Sequence, residues 1–127
     1  MIGNNFQKAL SVLVRVAFVG CIVALAILAW LPARDMVRTP LGGHVEHSIA
    51  YLGTSIVMGL AFQGRLRLHV QCVLLALYAA ALEAGQIYSP GRQASIDDFA
   101  FSVAGLVIGG AILWIARRRM ASCRAKW

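Results

Sequence analysis

The chain has 127 residues, of which 60% are hydrophobic and 13% charged, and its formal net charge is +7. A globular domain in water is about 45–50% apolar and about 25% charged, and a chain this short has too much surface to hide the excess. The proportions speak against such a domain, and the shortage of charge and of repeats speaks against disorder and coiled coil.

An all-α, polytopic membrane protein is the expected class. About 20 residues cross a bilayer once, so the length allows roughly four spans in a single domain over 1–127. The first apolar run, Val16–Leu31, lies between Arg15 and Pro32 and extends back to about Ala9 if Arg15 snorkels to the head groups. It exceeds a signal-peptide core of 7–15 residues, so a retained helix over about 9–31 is expected. The second run is expected over 47–63, closed by Gln63-Gly64-Arg65. The third covers about 68–88 and stops at Ser89-Pro90-Gly91, where proline and glycine cannot continue a helix cheaply. The fourth covers about 96–116 and ends at Arg117-Arg118-Arg119, leaving a basic tail over 117–127. The connections on either side of the third run are short, which predicts antiparallel neighbours. Small residues four apart, such as Gly105 and Gly109, allow helices to approach closely in lipid.

Charge sets the expected orientation. Four spans put Lys8, Arg15, Arg65, Arg67, Arg117, Arg118, Arg119, Arg124 and Lys126 on one side and only Arg34, Arg38 and Arg92 on the other. Lysine and arginine excess marks the cytoplasmic side. Both termini are therefore expected in the cytoplasm of a bacterial-type inner membrane. The basic residues border apolar runs without interleaved aromatics, so nucleic acid is not an expected partner. Cys21, Cys72 and Cys123 show no metal or disulfide spacing, and no cofactor or metal is expected.

In this topology every acidic residue falls in the outer half: Asp35, Glu46, Glu83, Asp97 and Asp98, accompanied by His44 and His47. Glu83 lies inside the third apolar run, where an ionisable group is costly unless partnered and defaults to a functional candidate. Gln86 shares its helix face at i+3, and Arg92 follows in the turn. Asp98 opens a stripe with Ser102, Gly105 and Gly109, although aspartate here also suits a helix cap. His47, Tyr51 and Ser55 form a polar stripe on the second span. If these stripes face inward, one outer pocket gathers His47, Tyr51, Glu83, Gln86, Arg92 and Asp98.

The run Glu46-His47-Ser48-Ile49-Ala50-Tyr51-Leu52-Gly53, then Glu83-x-x-Gln86-x-x-x-Pro90-Gly91-Arg92-x-x-Ser95-x-x-Asp98 and Gly105-x-x-x-Gly109, resembles the VanZ-like family of small bacterial integral membrane proteins. The resemblance covers about residues 43–110. It departs at Gly43-His44, where the family often has Asp-Lys, at Ser48, where it often has an aromatic, and at Ser102, where it often has asparagine. It implies a polar site built from the same six residues and a setting in the cell envelope, the founding member being linked to teicoplanin resistance.

Two functions fit. In the first, Arg92 and His47 meet an anionic group of a membrane lipid, a lipid-linked envelope precursor or a glycopeptide-type ligand, because the planar guanidinium can bond phosphate or carboxylate in parallel. The alternative is a membrane enzyme acting on such a precursor, with Glu83, Asp98 and His47 as the acid–base set. Proton-coupled transport ranks below both, since four short spans would serve only as a homo-oligomer or beside a membrane-protein partner.

Overall fold

The computed structural model describes residues 2–35 and 40–124, so Arg38 and Lys126 of the orientation count lie outside the described residues. The chain is all-helical there. Helix α1 covers Ile2–Trp30, α2 Gly43–Ala61, α3 Leu68–Gly85 and α4 Ile96–Arg124. Two single 3₁₀ turns, Ala33–Asp35 and Gln86–Tyr88, follow α1 and α3. The segments Asn4–Trp30, Leu68–Tyr88 and Ile96–Cys123 are long and apolar enough to cross a membrane.

Helix α2 is not among these segments, chiefly because His44, Glu46 and His47 in its first turns lower its hydropathy, with smaller contributions from Tyr51, Thr54 and Ser55. Tyr51, Thr54, Ser55, Met58 and Gly59 are all buried, at helical spacing, so its polar stripe faces neighbouring helices. The chain reverses outside in that respect: Val12, Leu13, Val16, Val19 and Ile27 of α1 are each more than half exposed. An apolar exterior of this extent is a surface for lipid.

The tightest packing joins α2 to α4. A Cβ on Gly105 would fall on the Ser48 carbonyl oxygen, and one on Gly109 would lie 2.7 Å from the Leu52 carbonyl oxygen. The two backbones are therefore in contact, as small residues permit. Hydroxyls of α2 join across the same seam: Ser48 Oγ donates to the Phe101 carbonyl at 2.8 Å and Ser55 Oγ to the Leu106 carbonyl at 2.9 Å. At the other end of the seam Arg117 Nη2 donates to the Gly59 carbonyl at 2.6 Å, in the last turn of α2 where carbonyls lack helical partners. Tyr51, Met58, Leu75, Ala79 and Leu106 form the core that α2, α3 and α4 share.

Helix α1 leans on this unit. Tyr78 Oη donates to the Ile22 carbonyl at 2.7 Å, Ser89 Oγ donates to the Trp30 carbonyl at 3.0 Å, and Phe18 meets Phe62 edge to face. The Trp30 indole lies against Gly85, where a Cβ would be 2.7 Å from Nε1.

Element bounds differ from expectation in all four helices. Helix α1 starts at Ile2, ahead of the expected start near Ala9. Helix α2 starts at Gly43, one turn before His47. The third helix becomes 3₁₀ from Gln86 onward, tightening before the Ser89-Pro90-Gly91-Arg92 turn, in which the Arg92 N–H donates to the Ser89 carbonyl at 3.1 Å and Gly91 has φ +75°. Pro at the second position and a positive φ at the third are the requirements of a type II turn. Helix α4 continues through Arg117-Arg118-Arg119 to Arg124. Arginine is a good helix former, so the triplet marks a change of environment and not a helix stop. At 29 residues α4 is about 43 Å long, more than the ~30 Å of hydrocarbon. Arg118 lies over the Trp114 ring at 4.0 Å.

Gly105→Ala should lower stability by about 1–3 kcal/mol, the usual range for forcing atoms into a packed seam. Gly53→Ala, in open space on the same helix pair, should be neutral or stabilising. Thermal unfolding of both variants in detergent checks the contrast.

Candidate functional site

The end of the bundle where α1 and α3 finish and α2 and α4 begin carries the polar residues. The N-terminus of α4 is built from its own sequence: Ser95 Oγ accepts the Asp98 N–H at 3.2 Å and the Ser95 carbonyl accepts the Phe99 N–H. In a capping box the third residue of the helix would reach back to the cap's own N–H. Here Glu83 of α3 takes that N–H instead, with Ser95 N donating to Glu83 Oε1 at 2.6 Å. Gln86 Nε2 donates to Glu83 Oε2 at 3.3 Å. The carboxyl expected to seek partners inside the third helix thus has both oxygens bonded while the residue is only 8% exposed. It fastens α3 to the start of α4.

Released from its own helix cap, Asp98 turns to α2. Its Oδ1 is 2.9 Å from His44 Nδ1, and its Oδ2 is 4.0 Å from His47 Nε2. His47 Nδ1 lies 3.3 Å from Ser102 Oγ, which also donates to the Asp98 carbonyl at 2.8 Å. Nδ1 of His47 is therefore held by an α4 hydroxyl, while Nε2, at 4.0 Å from Asp98, makes no hydrogen bond to it. His44 stacks on Phe101 with 4.8 Å between centroids. Helix α2 is joined to α4 at this end by two histidines around one carboxylate.

A cavity of about 360 Å³ lies between α1, α2 and α3. That is within the range of small-molecule sites, about 300–1,000 Å³. Five of the six expected residues line it: His47, Tyr51, Glu83, Gln86 and Arg92. Asp98 does not; it sits behind His47, on the α4 side. Leu25, Leu28 and Ala29 of α1, with Leu31 just beyond it, supply one apolar wall, and Ala79 and Leu82 of α3 another. Tyr51 is 4% exposed and lines this space, and no described residue forms a hydrogen bond with its hydroxyl.

Four further polar residues belong to the arrangement. Asp35 and Glu46 line the cavity, Ser95 holds Glu83, and His44 holds Asp98. Ser95-x-x-Asp98 is a capping spacing that the sequence displays. Nothing local announces that Asp35, from the turn after α1, reaches a cavity formed with α2 and α3.

No protein-family model, curated protein or solved structure matches this chain. Its chemistry must accordingly be read from the side chains. A cavity with leucines on one flank and carboxylates, a guanidinium, an imidazole and a buried phenol on the other can hold an amphiphile.

Glu83→Ala should cost about 1–2 kcal/mol, because it strands the Ser95 N–H at a half-buried helix start. Glu83→Gln keeps a carbonyl acceptor and should cost less. Unfolding midpoints of the two variants in detergent distinguish them.

Proposed function

We propose that the protein is a four-span component of a bacterial inner membrane, with both termini in the cytoplasm, which holds the polar head of an outer-leaflet amphiphile in the cavity between α1, α2 and α3. The carrying observation is the cavity's lining: Arg92 and His47 among polar groups at the helix ends, beside a leucine wall from α1. In this reading Arg92 meets an anionic group, a lipid phosphate or the carboxylate or phosphate of a lipid-linked envelope precursor, through parallel hydrogen bonds. The acyl or polyprenyl part lies along Leu25, Leu28 and Leu31.

The orientation rests on nine of the twelve basic residues falling on one side of a four-span arrangement. Helix α2 qualifies as a span in this reading despite its polarity. Its 19 residues reach about 28 Å, close to the hydrocarbon thickness, and its polar face is turned to α4. The motif running from Glu46 to Gly109 is the ground for a VanZ-like assignment, and with it a role in the envelope's response to glycopeptide antibiotics.

One observation favours the enzymatic alternative. His47 lines the cavity with its Nδ1 on Ser102 Oγ and its Nε2 4.0 Å from Asp98, outside hydrogen-bond reach, so Nε2 is the nitrogen able to exchange a proton with a bound precursor. In that case Glu83 and His47 act on the precursor, Ser102 holds the ring, and Asp98 stands behind it.

Native mass spectrometry of protein extracted in mild detergent tests the binding reading. Wild type should carry an anionic amphiphile, and Arg92→Ala should retain at least ~10-fold less, the effect of one charge-assisted contact. Equal retention by the two proteins overturns it. Conversion of the bound species by wild type but not by Glu83→Gln favours the enzyme.

A further inference from the structure

The end of the bundle away from the cavity has a charge pattern of its own. Asp35 follows α1, Glu46 lies in the first turn of α2, Glu83 near the end of α3, and Asp97 and Asp98 open α4. These are the chain's five acidic residues, and all stand at the cavity end. The other end, where α2 passes to α3 and α4 finishes, therefore has no acidic side chain. It carries Arg15 in α1, Arg65 and Arg67 in the link between α2 and α3, and Arg117, Arg118 and Arg119 in α4.

Five of these six arginines are accounted for. Arg65, Arg67 and Arg119 are exposed, Arg117 donates to the Gly59 carbonyl, and Arg118 lies over Trp114. Arg15 differs. It is half-buried, and its Nε is enclosed without a hydrogen-bond partner. Phe18, three residues on and so on the same face, meets Phe62 at the end of α2. The Phe62 carbonyl there already accepts the Arg65 and Leu66 N–H groups. Packing thus holds the Arg15 stem while nothing at this end answers its charge.

Depth sharpens the requirement. Arg15 is about 22 Å along α1 from Trp30, less than the ~30 Å of hydrocarbon. With Trp30 at one interface, where tryptophan is enriched, Arg15 lies within the apolar layer. Val12, Leu13, Val16 and Val19 around it are more than half exposed, a surface for lipid chains. An arginine at such a depth is costly, and local thinning of the bilayer lowers the cost by bringing polar groups to it.

We infer that Arg15 binds the phosphate of an anionic phospholipid from the leaflet at this end, with the acyl chains against Val16 and Val19 of α1. A guanidinium bonds two phosphate oxygens in parallel. A head with net negative charge is favoured over a zwitterionic one, because Arg65 and Arg67 in the α2–α3 link add positive charge and no carboxylate is present to receive an ammonium. The apolar surface beside Arg15 suits a lipid and not a free phosphate. The inference rests on α1 crossing the membrane and is independent of the cavity.

The test is titration of delipidated full-length protein with phosphatidylglycerol and with phosphatidylcholine, read by native mass spectrometry. Run on Arg92→Ala as well as wild type, it counts lipid at this end apart from any amphiphile in the cavity. In both proteins one site should bind phosphatidylglycerol about tenfold or more tightly than phosphatidylcholine, in line with charge-assisted hydrogen bonding. Arg15→Gln should abolish that preference and Arg15→Lys, which keeps the charge, should recover most of it. Arg119→Gln removes an equal charge from an exposed position and should change affinity by less than about twofold. A preference that survives Arg15→Gln and falls with Arg92→Ala places the lipid in the cavity, which overturns this site and leaves the binding reading standing. Arg15-dependent binding with no change on Arg92→Ala supports this site and overturns the cavity reading alone. Equal losses from Arg15→Gln and Arg119→Gln reveal a diffuse attraction and overturn the site. Glycerol 3-phosphate competing as well as the whole lipid overturns the assignment to a membrane lipid.

Discussion

The approach of α2 to α4 through bare backbone is the contact on which the rest of the structure depends. With hydrogen in place of a side chain at Gly105 and Gly109, the carbonyls of Ser48 and Leu52 come within touching distance of the opposite helix. Lipid supplies no hydrophobic force between helices, so close packing and short hydrogen bonds must hold them. The Ser48 and Ser55 hydroxyls provide such bonds along the seam. A helix carrying as much polarity as α2 would be costly against hydrocarbon, and the seam is what turns that polarity inward.

A second junction follows from the first. With α4 fixed against α2, its N-terminus stands beside the end of α3, and Glu83 reaches the Ser95 N–H. That bond exchanges partners between two carboxyls. Glu83 takes the cap N–H that Asp98 would accept in a self-contained capping box, and Asp98 becomes the acceptor between His44 and His47. The two acidic residues thus divide the work: one holds α3 to α4, the other holds α2 to α4. The cavity opens on the remaining side, where α1 is held by a few bonds to backbone carbonyls and by Trp30 against Gly85.

This division gives Glu83 two roles that are usually considered opposites. Its bonds to Ser95 and Gln86 are structural, yet its carboxylate also forms part of a cavity wall. A buried acidic group held by a backbone N–H and an amide is pre-oriented, and so presents its remaining lone pairs in a fixed direction.

Much of the framework was legible in the chain. Apolar runs bounded by Pro32, Gln63-Gly64-Arg65 and Ser89-Pro90-Gly91 place the helices to within a turn at most ends, because burial in an apolar phase requires internal backbone bonding and long unbroken runs. The misplaced end of the fourth helix came from treating arginines as a stop, when their effect is on depth and not on backbone conformation. Glu83 also stood out, since an ionisable group among apolar neighbours is conspicuous by composition alone. The sequence by itself determined the helical class, the order of the helices and the small set of polar residues that have to be satisfied. Only the tertiary structure decided how they are satisfied: that Ser95 claims Glu83, that Asp98 stands behind His47 and outside the cavity, and that Asp35 and Glu46 join the lining. Those outcomes depend on distances between atoms from different helices, and helix packing sets such distances with no local signature in the chain.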